Sequence, residues 1–236
     1  MELASLAARL TVEASCEPLD AKRVLGTFVE GARRLAGAHG AGVHYAPPGG
    51  AAVETEGTSG GLRALTADAA GWNEGPGHEA HTAGCSLTDL DVTGRPAHVR
   101  WPRWVPRARA LGVGRITALP LSGPGGPVGA LLLLGGPGHV LDERALTLVR
   151  TLTQLTADAL FLLREVQQSR VVVAQLQHAL TSRVVIEQAK GMLSARHDVP
   201  VDEAFARLRT YARSHQRKIA DIAREITEGR AELPAP

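Results

Sequence analysis

The amino-acid sequence predicts an α+β fold: an N-terminal antiparallel sheet with helices, a long connecting helix, and a C-terminal bundle of three helices. Short apolar runs bounded by Gly and Pro predict the strands of the sheet. The absence of Gly and Pro from Val140 to Lys190 predicts the long helix. Apolar residues that recur at helical spacing between residues 181 and 229 predict the bundle.

Length and composition limit the classes of protein that this chain can belong to. Its 236 residues allow one large or two ordinary domains, and a hydrophobic content of 44% is enough for a core. A formal charge of +2 means that any nucleic-acid binding must be local. The longest apolar run, Val128 to Leu134, has the length of a strand, so we expect no membrane span. The N-terminus lacks a basic region followed by an apolar core, and we therefore predict a cytoplasmic protein.

The first third of the chain predicts two helices and a hairpin. Amphipathic spacing predicts helices at Leu3–Leu10 and Leu25–Leu35. Ala41–Tyr45 is predicted as a strand, Pro47–Gly50 as a turn and Ala51–Thr55 as the hairpin partner of that strand.

The next part of the chain is rich in Gly and Ala up to Gly84, and we interpret it as a helix, Leu62–Asp68, followed by a long loop. Beyond it we predict the strand Cys85–Leu90 and a short helix, Pro102–Leu111. A final hairpin is predicted, with the strands Gly114–Leu121 and Pro127–Leu134. This order implies an antiparallel sheet with helices packed on one side.

Several single residues suggest chemistry, and each has a simpler interpretation. His78 and His81 lie three residues apart, but no third ligand accompanies them, so we interpret them as exposed loop histidines and expect no metal site. Cys85 could be a redox switch or a bilin attachment point, although a lone Cys is more often a small buried hydrophobe. Trp101 and Trp104 could wall a pocket, and core packing is the favoured interpretation.

No arrangement of residues in the sequence indicates catalysis. The chain contains no Walker loop, nucleophile elbow or metalloprotease helix, and its two cysteines, Cys16 and Cys85, do not make a disulfide framework or a zinc site. We therefore expect that the protein is not an enzyme and has no cofactor.

The predicted long helix, from about Asp142 to Ala195, carries a heptad pattern. Apolar residues fill eight of its ten a and d positions: Leu152, Leu155, Ala159, Leu162, Val166, Ser169, Val173, Leu176, Leu180 and Arg183. This pattern favours a two-stranded coiled coil and therefore a homodimer. The alternative is a long helix that packs on its own sheet. Because it has no Gly or Pro up to Lys190, this helix would be a rigid connection that transmits a twist or separation from the N-terminal domain to the C-terminal bundle.

The C-terminal helices have recognisable ends. The first pattern stops around Ala195–His197, and Pro200 marks a new start. Asp202 and Glu203 then lie in the first turn of a second helix, where negative charge complements the helix dipole. A break near Ser214 leads to a third helix, which stops at Gly229.

Positive charge is concentrated in this bundle. Five basic residues and no acidic one lie between positions 207 and 218: Arg207, Arg209, Arg213, Arg217 and Lys218. Arg183 and Lys190 are seven residues apart and share a helix face. Such a cluster suits a phosphate backbone, and the simpler alternative is a solvated helix face.

The C-terminal stretch resembles the ANTAR family, RNA-binding transcription-antitermination domains of bacterial regulators. The resemblance is carried by the strings Ser182–Leu193 (SRVVIEQAKGML), Val201–Phe205 with Leu208-Arg209, Tyr211–Arg213, and Lys218–Ala223. Pro200 is a departure, because the family often has Ser or Thr there, although Pro is tolerated in the first turn of a helix.

The N-terminal part resembles a GAF domain, of the kind found before ANTAR domains in actinobacterial regulators. The residues that carry the resemblance are Glu74–Gly77, Glu79-Ala80, Asp89-Leu90, Arg100–Pro102, Ala110–Val113, Leu119–Leu121 and Gly129–Leu131. It implies a small-molecule pocket or a dimerisation surface, and an unknown small-molecule or protein signal. At Gly77-His78 related sequences commonly carry Cys or another residue.

Together the two resemblances imply a domain order and a function. We predict a GAF-like domain at 1–165, a helical connector at 166–180, an ANTAR domain at 181–229 and a disordered tail at 230–236. The family resemblance implies binding to paired stem-loops in a nascent leader transcript, which prevents a terminator hairpin from forming.

Site residues follow from the resemblance and from the chemistry of RNA recognition. Phosphates would be bound by Arg183, Lys190, Arg213, Arg217 and Lys218. Tyr211 would stack on a base or belong to the core, and Ala189 and Gly191 would let RNA or a neighbouring helix approach. Two other functions stay open: a DNA-binding helix-turn-helix regulator, and a ligand sensor whose helical tail makes only protein contacts.

Overall fold

The computed structural model describes residues 2–15, 20–50 and 52–233. Cys16, Ala51 of the predicted hairpin and residues 234–236 of the predicted tail lie outside the described residues. The chain divides into two compact units, Met1–Gln167 and Gln168–Pro236, called here the N-terminal unit and the C-terminal unit. The predicted α+β class is confirmed.

The N-terminal unit contains a five-stranded antiparallel sheet with the strand order β2-β1-β5-β4-β3. The strands are β1 (Gly40–Tyr45), β2 (Glu54–Gly57), β3 (Leu87–Asp91), β4 (Arg115–Gly123) and β5 (Gly126–Gly135). The central strand β5 pairs Leu131 with Val43 on one side and with Leu119 on the other.

The described helices are α1 (Glu2–Ser15), α2 (Ala21–Ala36), α3 (Gly60–Trp72), α4 (Pro76–Ala83), α5 (Arg95–Arg100), α6 (Trp104–Ala110), α7 (Glu143–His197), α8 (Val201–Ser214) and α9 (Ile219–Thr227). Asp20 caps α2 and Ser59 caps α3, each by a side-chain oxygen that accepts from a backbone N–H two or three residues later.

Helices cover both faces of the sheet, and the prediction of helices on one side was wrong. Leu131 and Leu133 of β5 pack with residues of α1, α2 and α7, while Leu132 and Leu134 pack with residues of α3 to α6. The apolar run of β5 has no polar alternation because both of its faces are buried.

Three local predictions also needed correction. The partner strand of β1 begins at Glu54 rather than Ala51, because the loop after Tyr45 is longer than a tight turn. The predicted long loop before Gly84 contains α4, which places His78 and His81 on a helix. A further short helix, α5, precedes the predicted one. Both missed helices are too short to show a clear apolar period.

The long helix α7 is continuous, as predicted, and changes character along its length. Up to Leu163 it buries apolar residues in the core of the N-terminal unit, including Val149, Leu152 and Leu160. Leu152, the first position of the heptad frame, therefore faces the core. The later positions form an exposed apolar stripe, consisting of Leu155, Leu162, Val166, Val173, Leu176 and Leu180.

The buried and the exposed apolar residues of α7 together also concern the expectation of no membrane span. One 18-residue window of α7 has a mean hydropathy of 1.3, which by length and composition alone would allow it to cross a membrane. In that window 44% of the residues are buried within the structure. Packing against the sheet accounts for much of the apolar content.

The C-terminal unit has its own small core. It is built from the end of α7, from α8 and from α9, and its buried residues are Ala189, Leu193, Ala204, Leu208, Ala212, Ile222, Ala223, Ile226 and Leu233. Leu233 is 7% exposed, so the described part of the predicted tail packs on the bundle beyond Gly229.

Candidate nucleic-acid interface

The predicted RNA-binding cations of the C-terminal unit fall into two groups. Arg183, Arg213 and Lys218 are exposed and have no ion-pair partner among the residues that the structure describes. Arg217 is paired with Glu225 through two hydrogen bonds of 2.9 and 2.5 Å. That bond is the main reason why the pKa of Glu225 lies below its usual value. The first group is therefore available to an anion as it stands.

Lys190 occupies a more enclosed position than an exposed phosphate ligand. Its ammonium group donates to both carboxylate oxygens of Glu187, at 3.0 and 2.9 Å. It also lies 5.1 Å from the centre of the Phe205 ring, and its side chain is only 14% exposed. Lys190 is thus part of the packing between α7 and α8, with little surface left for RNA.

The two small residues of the predicted site differ in their surroundings. Ala189 is fully buried in the bundle core, so its small side chain accommodates neighbouring helices. Gly191 is exposed, and a Cβ added there would meet nothing within 4 Å. Only Gly191 leaves room for a close approach from outside.

Tyr211 is half-buried and stacks on His215, one helical turn later. The ring centroids are 4.0 Å apart and the rings are inclined by 27°. The Nδ1 atom of His215 lies 2.9 Å from the carbonyl oxygen of Tyr211 and 3.0 Å from the hydroxyl oxygen of Ser214, so polar neighbours hold the imidazole in place. Sequence analysis did not single out His215, although its spacing of four residues from Tyr211 is the signal for such a pair.

The N-terminal unit also contains an arginine-rich stretch, between Arg95 and Arg115, with six arginines and no acidic residue. Acidic residues from other segments pair with three of them: Glu79 with Arg100, Asp68 with Arg107 and Asp89 with Arg115. Arg100 and Arg107 also lie 4.9 Å from the ring centres of Trp101 and Trp72. These pairs connect α4, α3 and β3 to the arginine stretch.

A pair of histidines lies between the sheet and α4. His44 on β1 is 5% exposed, and its Nε2 is 3.1 Å from Nδ1 of His81. Burial is the main cause that lowers the pKa of His44 to about 4, and the neighbouring His81 and His78 lower it further. Burial also lowers the pKa of His81, although a hydrogen bond to the backbone of Pro127 opposes it. His81 is therefore a packed helix residue and not the exposed loop histidine that we predicted.

The remaining candidates of the N-terminal unit are settled by burial. Trp101 and Trp104 are 4% and 0% exposed, which confirms core packing. Cys85 is exposed, so its prediction as a buried hydrophobe was wrong; it follows Gly84, where α4 ends. Within the described ranges, no group of three His, Cys, Asp or Glu side chains could hold a metal ion.

Family comparisons match both parts of the chain. A GAF domain profile matches residues 18–160, and an ANTAR domain profile matches residues 174–226. No curated protein sequence matches the chain.

Two solved structures share the fold. One is residues 122 to 287 of a methyl-accepting chemotaxis protein, with 14% identity and a TM-score of 0.51, covering 68% of this chain and 98% of that chain. The other is a bacteriophytochrome from the photosynthetic bacterium R. palustris, with 12% identity and a TM-score of 0.53, covering 88% of this chain and 45% of that chain.

Proposed function

Because this chain belongs to the GAF domain family and carries an ANTAR domain, it is a signal-responsive regulator built from regulatory and sensory domains; we propose that it acts in the cytoplasm as a transcription antiterminator. In this proposal the C-terminal unit binds stem-loops in nascent leader RNA and prevents a terminator from forming. The observation that carries the proposal is the set of exposed cations on the ANTAR bundle that have no ion-pair partner among the described residues.

The chemistry of the bundle supports contact with RNA. Arg183, Arg213 and Lys218 would bind phosphates directly. Arg217 would do so while remaining held by Glu225, and Lys190 would contribute through its small exposed part. Sequence-specific RNA recognition also needs a planar group for unstacked loop bases, and half-buried Tyr211 supplies one. Gly191 leaves the surface of α7 open to the RNA backbone.

The proposal includes a homodimer. The exposed apolar stripe on α7 follows the a and d positions of the heptad frame, from Leu155 to Leu180. Covering such a stripe with the same stripe of a second copy is the usual stabilising arrangement of a two-stranded coiled coil. Two copies would also present two bundles, which suits paired stem-loops.

Control would come from a small-molecule or protein signal at the GAF domain. The domain boundaries that we propose, 1–165, 166–180 and 181–229, place the connector on α7, which runs from Glu143 to His197. A continuous helix would transmit a change in the packing of the N-terminal unit as a rotation or separation of the two copies.

The test is a competition experiment with the full-length protein. A pool of hairpin RNAs with randomised loops is bound at about 50 mM salt, where phosphate contacts are strongest, and then challenged with duplex DNA of the same sequences. We expect hairpin RNA to remain bound. Equal displacement by duplex DNA would favour the helix-turn-helix alternative, and the absence of binding would favour a tail with only protein contacts.

A further inference from the structure

An open groove of about 560 Å³ lies along α8 in the C-terminal unit. Its floor is formed by two neighbouring rows of the helix, since the residues recur every four positions. The first row is Ala206, Thr210 and Ser214, and the second is Arg207, Tyr211 and His215. Leu233 of the C-terminal segment forms a further wall.

The groove is lined by a pair of stacked rings, Tyr211 and His215, called here the platform. The two rings are stacked, and contacts of Nδ1 of His215 with the Tyr211 carbonyl and the Ser214 hydroxyl hold the imidazole plane. The other ring nitrogen, Nε2, makes no hydrogen bond to the described residues and can meet a ligand. Ser214 contributes to the same arrangement, with its hydroxyl donating to the Tyr211 carbonyl at 2.9 Å. The platform is thus ordered before any ligand binds.

The chemistry around the platform combines a polar wall with positive charge. The hydroxyl of Thr210 has no hydrogen-bond partner among the described residues and is free to meet the edge of a ligand. Arg207 gives the groove its own cation; it is paired with Glu203, and its Nη1 is buried without an acceptor in the described structure. Arg209 and Arg213, on the same helix, are exposed and have no carboxylate partner within the described ranges.

We propose that this groove receives one unpaired nucleotide of the bound RNA, with its base stacked on an outer ring face of the Tyr211–His215 platform. This inference rests on the proposed function, since it names the part of the RNA that the bundle reads. A flat ring system next to several cations matches a nucleotide, which has a planar base and an anionic phosphate. A purely apolar ligand would leave the cations unused. The hydroxyl of Thr210 and Nε2 of His215 offer two hydrogen-bonding groups for the base edge.

The test fills the groove without removing a native contact. Ala206→Phe places a ring in the groove, and Ala195→Phe is the matched control, because Ala195 is also exposed and helical but does not line the groove. The probe is a hairpin RNA selected by the wild-type protein from the randomised pool. We expect Ala206→Phe to weaken binding by about tenfold or more, the range that stacking of one base contributes, while Ala195→Phe binds like the wild type. Circular dichroism of both variants checks that the bundle is folded.

Abasic substitutions in the loop of the same hairpin give the second measurement. With wild-type protein, one abasic position should weaken binding by about tenfold, and with Ala206→Phe the same position should cause no further loss, because the groove is already filled. Equal affinity of the two Phe variants, or losses that simply add, would overturn the inference. If the wild type selects no RNA at all, the proposed function fails and this inference fails with it; RNA binding with an unimportant groove overturns the inference alone.

Discussion

The molecule contains two stretches of similar composition that it uses differently. Residues 95–115 have six arginines, and residues 207–218 have five basic residues; neither stretch has an acidic residue. In the first, Arg100, Arg107 and Arg115 bind carboxylates 21 to 39 residues away, and the neighbouring Trp101 is buried. In the second, the nearby planar rings, Tyr211 and His215, line an open groove.

The difference shows that an excess of cations in the sequence does not by itself indicate which of them the fold pairs with carboxylates. In the N-terminal unit, arginines hold helices and a strand together, and apolar residues of the sheet are buried on both faces. In the C-terminal unit, cations that have no ion-pair partner in the described part of the chain lie beside accessible rings, and the part of α7 in this unit exposes Val173, Leu176 and Leu180. Three of the six arginines in the first stretch are paired inside the N-terminal unit, next to buried Trp101, whereas the C-terminal unit has its exposed cations beside accessible rings and an apolar stripe, which a polyanion and a second copy would cover.

The largest expected effect concerns the exposed apolar stripe. Val173→Asp with Leu176→Asp should weaken the dimer by about 100-fold or more, because burying each side chain contributes about 1.5–3 kcal/mol. Light scattering over a range of protein concentrations measures the shift towards monomer. The matched control is Val171→Asp with Ala174→Asp, at exposed positions outside the heptad seam, which should remain dimeric. A stripe variant that stays dimeric would show that α7 does not hold the two copies together.

The second prediction tests the N-terminal unit through its histidine pair, His44 and His81. The pKa of His44 is about 4 in the folded protein and near 6.5 when unfolded, so the unfolded chain takes up the proton first. The contribution of His44 to the free energy of unfolding should therefore be fully present above pH 6.5 and be lost between about pH 6.5 and 4, by on the order of 3 kcal/mol in total. The lowered pKa of His81 acts in the same direction.

This prediction can be measured in the full-length protein because its three tryptophans, Trp72, Trp101 and Trp104, all lie in the N-terminal unit. Urea unfolding followed by tryptophan fluorescence at several pH values therefore reports that unit alone. His44→Gln should flatten the pH dependence, whereas His98→Gln, at an exposed position, should keep it. An unchanged pH profile in His44→Gln would assign the acid sensitivity to other groups.

The smallest expected effect is at Lys190, a cation that is paired with Glu187 and only partly exposed. Lys190→Ala should lower the stability of the bundle by about 1 kcal/mol, since it removes the contact with Phe205 and the packed aliphatic stem. The slope of log affinity against log salt should fall by less than about 0.7, the value of one full phosphate contact in single-stranded RNA. Lys190→Met keeps the stem and removes the charge, so it separates the two effects. If Lys190→Met lowers the slope by the full value of about 0.7, Lys190 is in direct contact with phosphate.

Much of the fold could be predicted because its signals are local. The long helix follows from an uninterrupted helical pattern, and the strands β4 and β5 follow from apolar runs around a Gly-rich turn. The helix α4 was missed because its sequence carries little helical signal. Its buried residues are Pro76, Gly77 and Ala80, and of these only Ala80 favours a helix. The second helical layer was missed because burial of both faces of β5 depends on contacts distant in sequence.

The site was less predictable for the same reason. The sequence indicates which residues of the bundle are cationic, but not that Glu225 pairs with Arg217 or that Lys190 lies over Phe205. Those contacts depend on how α7, α8 and α9 pack. Likewise, the contact of His44 with His81 spans 37 residues and has no sequence signature. The position of each charge is known from the sequence, whereas its accessibility to a ligand depends on the fold.

The most direct test of this account compares the two arginine-rich regions as RNA-binding surfaces. Arg183→Ala, Arg213→Ala and Lys218→Ala combined remove three exposed cations of the C-terminal unit, and Arg95→Ala, Arg103→Ala and Arg109→Ala remove three from the N-terminal unit. The affinity of full-length protein for a selected hairpin RNA is measured between about 50 and 300 mM salt. We expect the first variant to lower the slope of log affinity against log salt by about 2, and the second to leave it unchanged. Equal slopes for the first variant and the wild type, or a loss confined to the second variant, would contradict the account.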